Sequence, residues 1–87
     1  MERYYIGGKQ YIPEESTVLC AHVGIMERAT LYHTSGGAFF IVESDTDGGT
    51  PAVRVLDRAA ALSFMDAHPA EIDTNAYNAV FGEPERA

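Results

Sequence analysis

Basic residues are scarce in this chain: one lysine and five arginines, dispersed without a cluster. A protein that neutralises nucleic-acid phosphates needs grouped Lys and Arg, so direct nucleic-acid binding is excluded as a default. Cysteine occurs once, as Cys20, which rules out an intrachain disulfide scaffold and fits a reducing compartment. No apolar run exceeds the five residues 38–42 (AFFIV), against about 20 for a membrane span. The opening residues also lack the basic and apolar regions of a signal peptide, so a cytoplasmic protein without membrane association is expected. The glycine pairs 7–8, 36–37 and 48–49 lack the spacing of phosphate-binding loops and are read as turns.

The chain does carry enough apolar material for one core. Its 87 residues are 46% hydrophobic, with five tyrosines and four phenylalanines. A chain of this size buries about 60–65% of its unfolded surface, which supports a single domain over residues 1–87 with 82–87 as a frayed tail. Thirteen acids against six bases give a net charge of −7, and the excess is uneven. Residues 1–42 hold four acids and three bases, whereas residues 43–85 hold nine acids against Arg54 and Arg58.

Local signals outline the elements. Residues 3–12 (RYYIGGKQYI) place aromatic arms around Gly7-Gly8, the pattern of a hairpin whose turn needs positive φ. Residues 13–22 open with proline and two acids, the chemistry of a helical first turn, so a short helix is expected, with an extended reading left open by Ser16 to Val18. Residues 29–34 and 38–43 are β-prone runs joined by Ser35-Gly36-Gly37, and residues 52–56 alternate apolar and polar as a third strand. Asp57 is the expected N-cap of a helix over 58–68 that Pro69 stops, and Asp73 and Thr74 precede one or two turns closed by Gly82. The fold class is therefore α+β: a small antiparallel sheet of three to five strands with a C-terminal helix pair packed on one face.

The positions Leu31-Tyr32-x-Thr34, Gly36-Gly37, Phe39-Phe40, Leu56, Ala59 to Leu62 and Phe81-Gly82-Glu83 form a pattern. In it the stretch 31–83 resembles a family of short acidic proteins carried by phages and mobile elements. It departs from that family at Phe64, where a tryptophan is usual, and in its Asp-rich loop. The resemblance implies a role in conflict between phage and host, with the anti-CRISPR proteins as the best-known proteins of that kind and the host cytoplasm as the place of action.

Few constellations promise chemistry. Counted from Asp45, the fifth and twelfth positions are Gly49 and Leu56, so an EF-hand calcium loop fails. Cys20, His22, His33 and His68 offer only one close pair, which favours a buried thiol and half-exposed imidazoles over zinc or a Cys–His nucleophile. No cofactor, no metal and no enzymatic activity are expected. The carboxylates remain. In an extended strand, residues two apart project to the same side at about 6.8 Å, roughly commensurate with nucleic-acid phosphates. Glu43, Asp45 and Asp47 would form such a row, and Asp57, Asp66, Glu71 and Asp73 would extend it.

The expectation is thus an interaction protein, a monomer or weak dimer, that inhibits a basic nucleic-acid-binding partner by mimicking DNA. With the resemblance, that partner becomes a Cas effector subunit whose DNA or PAM recognition is blocked. The alternative is an immunity- or antitoxin-type module that binds through an apolar face carrying Tyr32 or Tyr77.

Overall fold

In the computed structural model, residues 2–45 and 48–84 are described. Gly7 and Gly8 take φ of +59° and +77°, as a tight two-residue turn requires, and join β1 (Tyr4–Ile6) to β2 (Lys9–Tyr11) in an antiparallel hairpin. Pro13 then starts a single 3₁₀ turn, Pro13–Glu15, which Ser16 closes. The expected helix over 13–22 does not form. Thr17 and Val18 are β-branched and lose rotamer freedom in a helix, and they begin β3 (Thr17–Val23) instead.

With β4 (Glu27–His33), β5 (Phe39–Asp45) and β6 (Ala52–Leu56), β3 builds a four-stranded antiparallel meander in chain order. The sheet register slips once. Val18 pairs with Tyr32 but Cys20 with Leu31, so Leu19 and Cys20 together oppose one residue of β4. This bulge sends two consecutive side chains to the same face, and both Leu19 and Cys20 are fully buried. It also resets the alternation beyond it, so that His22, paired with Ala29, faces the core side.

That core side holds Leu19, Cys20, Leu31, Phe39 and Ile41 under Ala61 and Met65 of α1 (Arg58–Ala67). Each large side chain fully removed from water there contributes about 1.5–3 kcal/mol. A 3₁₀ turn, Pro69–Glu71, follows α1, and Ile72 bridges to Cys20 before α2 (Thr74–Phe81) runs back until Phe81 stacks on Phe39 at 5.6 Å. The helix pair thus covers one face, as expected. The opposite face is also partly covered: the β1–β2 hairpin lays Tyr11 edge-on against Phe40 at 5.4 Å, and Tyr32 stacks on the same ring at 4.9 Å. Part of the aromatic set therefore makes a second, smaller cluster instead of joining the helix-side core.

Both helices begin as their sequences require. The Asp57 carboxylate accepts the Ala60 N–H at 2.7 Å, and Asp73 accepts that of Ala76 at 3.0 Å. Gly82, at φ +81°, closes α2. Replacing either aspartate with alanine orphans a backbone donor, and Asp57→Ala or Asp73→Ala is expected to cost about 1 kcal/mol. In thermal denaturation each variant should melt about 4–8 °C lower. Among the described residues no helix is long and apolar enough to cross a membrane.

Candidate functional site

At the end of the sheet where β3 ends and β4 begins, the core face turns polar. The register sets Glu27 opposite Asp45, and Ala29 and Ala52 on either side of Glu43, all on the side of Leu31 and Ile41. The two small alanine side chains leave room below the C-terminal end of α1. A cleft of about 370 Å³ results, with His22, Glu27, Glu43, Asp45, Phe64 and His68 among its walls.

Beside this cleft three groups converge from distant parts of the chain. His22 Nδ1 lies 2.8 Å from Glu71 Oε1, and His68 Nδ1 lies 3.9 Å from the same oxygen. The other carboxylate oxygen, Oε2, accepts the Val23 backbone N–H at 3.1 Å. The imidazoles of His22 and His68 stack at 4.0 Å, and Phe64 leans on His68 at 4.8 Å. One ligand-type atom from each of His22, His68 and Glu71 lies within 4.8 Å of the others. The His22 contact first, and the Val23 N–H second, hold the Glu71 carboxyl below its ordinary range.

Comparison with family models, curated proteins and solved structures finds no match.

The expected row of carboxylates divides. Glu43 and Asp45 do share a face and line one cleft, where Glu27 joins them, but Glu43 Oε1 also accepts from Arg54 Nε at 2.9 Å. Asp47 lies outside the described residues. Glu71 is turned to His22 and Val23, next to the cleft. Asp57 sits at the other end of the sheet, since β6 runs from Ala52 beside Glu43 to Leu56 beside Phe39. Asp73 caps α2, and Asp66 borders a separate groove of about 260 Å³ with Ile72 and Tyr77. The six described acids of the seven thus do not make one continuous strip: Glu43, Asp45 and Glu71 line or adjoin the cleft, and Asp57, Asp66 and Asp73 lie elsewhere.

Cys20 is fully buried, burial pushes its thiol pKa up, and its Sγ contacts the His68 carbonyl oxygen at 3.8 Å. It is placed as a core side chain and does not line the cleft. His33 packs on Phe39 at the opposite end of β4 from the cleft. Of the loop counted from Asp45, residues 46 and 47 lie outside the described residues, and the Asp45 carbonyl accepts the Gly48 N–H at 3.2 Å.

Sequence reasoning missed two features. One is the His22–His68–Glu71 cluster. The other is the tip between β3 and β4, where Val23, Ile25 and Met26 are 61%, 97% and 69% exposed, directly before Glu27. A His-x-x-Glu spacing at 68–71 was the sequence sign of the first, and a Val-Gly-Ile-Met run at 23–26, between the segment 13–22 and the strand expected from residue 29, was that of the second.

Proposed function

We propose that the protein is a non-catalytic interaction module that docks one end, the apolar β3–β4 tip with the carboxylates behind it, onto the basic, nucleic-acid-binding surface of a partner protein. The juxtaposition of Ile25 and Met26 with Glu27, Glu43, Asp45 and Glu71 carries this reading. An exposed apolar anchor beside charged groups has the composition of an interface centre and its rim. Among the described residues there, the carboxylates Glu27, Glu43, Asp45 and Glu71 outnumber Arg28 and Arg54, so the end is net acidic and complements a cationic surface. On the expected resemblance to phage and mobile-element proteins, the partner proposed is a Cas effector complex and the role that of an anti-CRISPR that occupies its DNA-binding surface. The imitation of DNA is then local, limited to this end. In the immunity-type alternative the contact residues would be Tyr32, half-buried and stacked on Phe40, and Tyr77, half-buried against Phe81 on the border of the groove with Asp66.

The test uses purified CRISPR effector complexes of several types and a mobility-shift assay of their target DNA. The wild-type protein is expected to weaken DNA binding by one of them, more strongly at low than at high salt. The triple variant Glu27→Lys, Glu43→Lys, Asp45→Lys should inhibit about tenfold less well, the equivalent of about 1.4 kcal/mol. Its circular dichroism should remain that of the wild type, since an exposed ion pair such as Glu43–Arg54 is worth about 0–1 kcal/mol. Normal inhibition by the triple variant, or undiminished DNA binding by every complex at saturating protein, would refute the reading.

A further inference from the structure

The His22–His68–Glu71 cluster is more than is needed to fasten the Pro69–Glu71 turn to β3. For that purpose the carboxylate needs only the Val23 N–H and one imidazole. A second imidazole, held by Phe64 with its Nδ1 toward the same oxygen, is surplus to such a latch. We propose that His22, His68 and Glu71 form a binding site for a first-row divalent transition-metal ion, with Zn²⁺ as its representative.

The donor chemistry fits. Two imidazole nitrogens and one carboxylate oxygen are a borderline-soft set suited to zinc and its neighbours, and unlike the all-oxygen shells of calcium and magnesium. The spacing fits as well. Nitrogen and oxygen ligands at about 2.0–2.1 Å in a tetrahedron stand about 3.3 Å apart. The separations from Glu71 Oε1 of 2.8 Å and 3.9 Å lie on either side of that value, and the two imidazoles, stacked at 4.0 Å, would turn out of that stack to aim both nitrogens at one ion.

The outer groups are also in place. Glu71 Oε2 takes the Val23 N–H at 3.1 Å while Oε1 faces the imidazoles, which orients the carboxylate for a single metal–oxygen bond. Such partners of a ligand fix its direction and strengthen the site. Finally, the site is reachable. The side chains of His22, His68 and Glu71 are 24%, 25% and 33% exposed, and both imidazoles line the acidic cleft. Glu27, Glu43 and Asp45 raise the local concentration of cations there. Three protein ligands leave a fourth position for water or an exogenous donor from the cleft. This inference does not depend on the proposed partner.

The test is calorimetric titration of chelator-treated protein with Zn²⁺, with Co²⁺ absorption as a second reporter. One ion per chain is expected. His68→Ala and Glu71→Gln should each weaken binding by about 100-fold or more, since even outer partners of metal ligands are worth about 10–100-fold. His33→Ala, distant from the site, should bind as the wild type does. Because a ligand variant can also disturb folding, the imidazole resonances of the unaltered protein supply an independent readout: those of His22 and His68 should move on Zn²⁺ addition while those of His33 stay. Absence of saturable binding, equal binding by His68→Ala and Glu71→Gln, or perturbation of His33 in place of His22 and His68 would each overturn the proposal.

Discussion

Phe40→Ala is expected to lower stability by about 3–5 kcal/mol, among the largest effects available to one substitution in this chain. An 87-residue domain has on the order of 5–10 kcal/mol in total, so about a third or more of it is at stake. The ring is fully buried, with Tyr11 meeting its edge and Tyr32 its face. Aromatic pairs add about 0.5–1.5 kcal/mol each beyond the area they bury. The loss also has a specific place. The β1–β2 backbone makes few close approaches to the four-stranded sheet, and a two-stranded hairpin is marginal on its own. The hairpin is therefore held by side chains gathered on Phe40. Thermal melting should fall by about 15–30 °C, and amide exchange over β1 and β2 should accelerate before that over β4 and β5. Phe40→Leu, which keeps much of the volume, should cost less than half as much. If Phe40→Ala melts within a few degrees of the wild type, the second cluster does not anchor the hairpin.

This cluster also shows how far local sequence reasoning reaches. Gly7-Gly8 announced the hairpin, Asp57 and Asp73 announced two caps, and Gly82 announced a helix end, because each is a short-range demand of backbone geometry that one or two residues satisfy. Residues 52–56 were legible as a strand for a similar reason, since alternation is local. What the hairpin packs on was not legible, because Tyr11 and Phe40 are separated by a long stretch of chain. The segment 13–22 failed for a subtler reason. Proline and two acids do start a helical turn there, but β-branched residues and pairing with β4 prevail after Ser16.

The site was hidden by the same kind of non-local event. Strict alternation from Val18 would turn His22 to the hairpin side of the sheet, away from His68 and Glu71. The bulge at Leu19 and Cys20 reverses that, and nothing in the residues from Thr17 to Val23 marks it. Glu43 and Asp45, in contrast, share a face because β5 runs unbroken to Asp45. The helical acids could not be placed by counting, and two of them proved to be tied to the starts of helices, at Asp57 and Asp73. An acidic total therefore says little about an acidic surface until the caps have been subtracted.

The double variant Ile25→Asp, Met26→Asp is expected to leave the fold intact and to weaken partner inhibition by about 30-fold or more. Intact folding follows from exposure: at 97% and 69% exposed, the two side chains contribute little to the core, and surface changes of this kind stay within about 0.5 kcal/mol each. The loss of binding follows from their place beside Glu27, where an apolar anchor removed from water by a partner is worth about 2 kcal/mol or more, and about 1.4 kcal/mol is tenfold in affinity. The carboxylates behind the tip act differently. Rim charges govern the association rate and its salt dependence, whereas a desolvated anchor governs dissociation. The tip variant should therefore shorten the lifetime of the complex while its two added carboxylates leave the salt dependence at least as steep, and reversal of Glu27, Glu43 and Asp45 should flatten that dependence. Association and dissociation rates measured at two salt concentrations separate the two contributions. Unchanged dissociation of the tip variant would remove Ile25 and Met26 from the interface and leave the acidic cleft alone to account for binding. A shift from dimer to monomer in size-exclusion chromatography of the same variant would instead identify a second copy of the chain as what covers the tip.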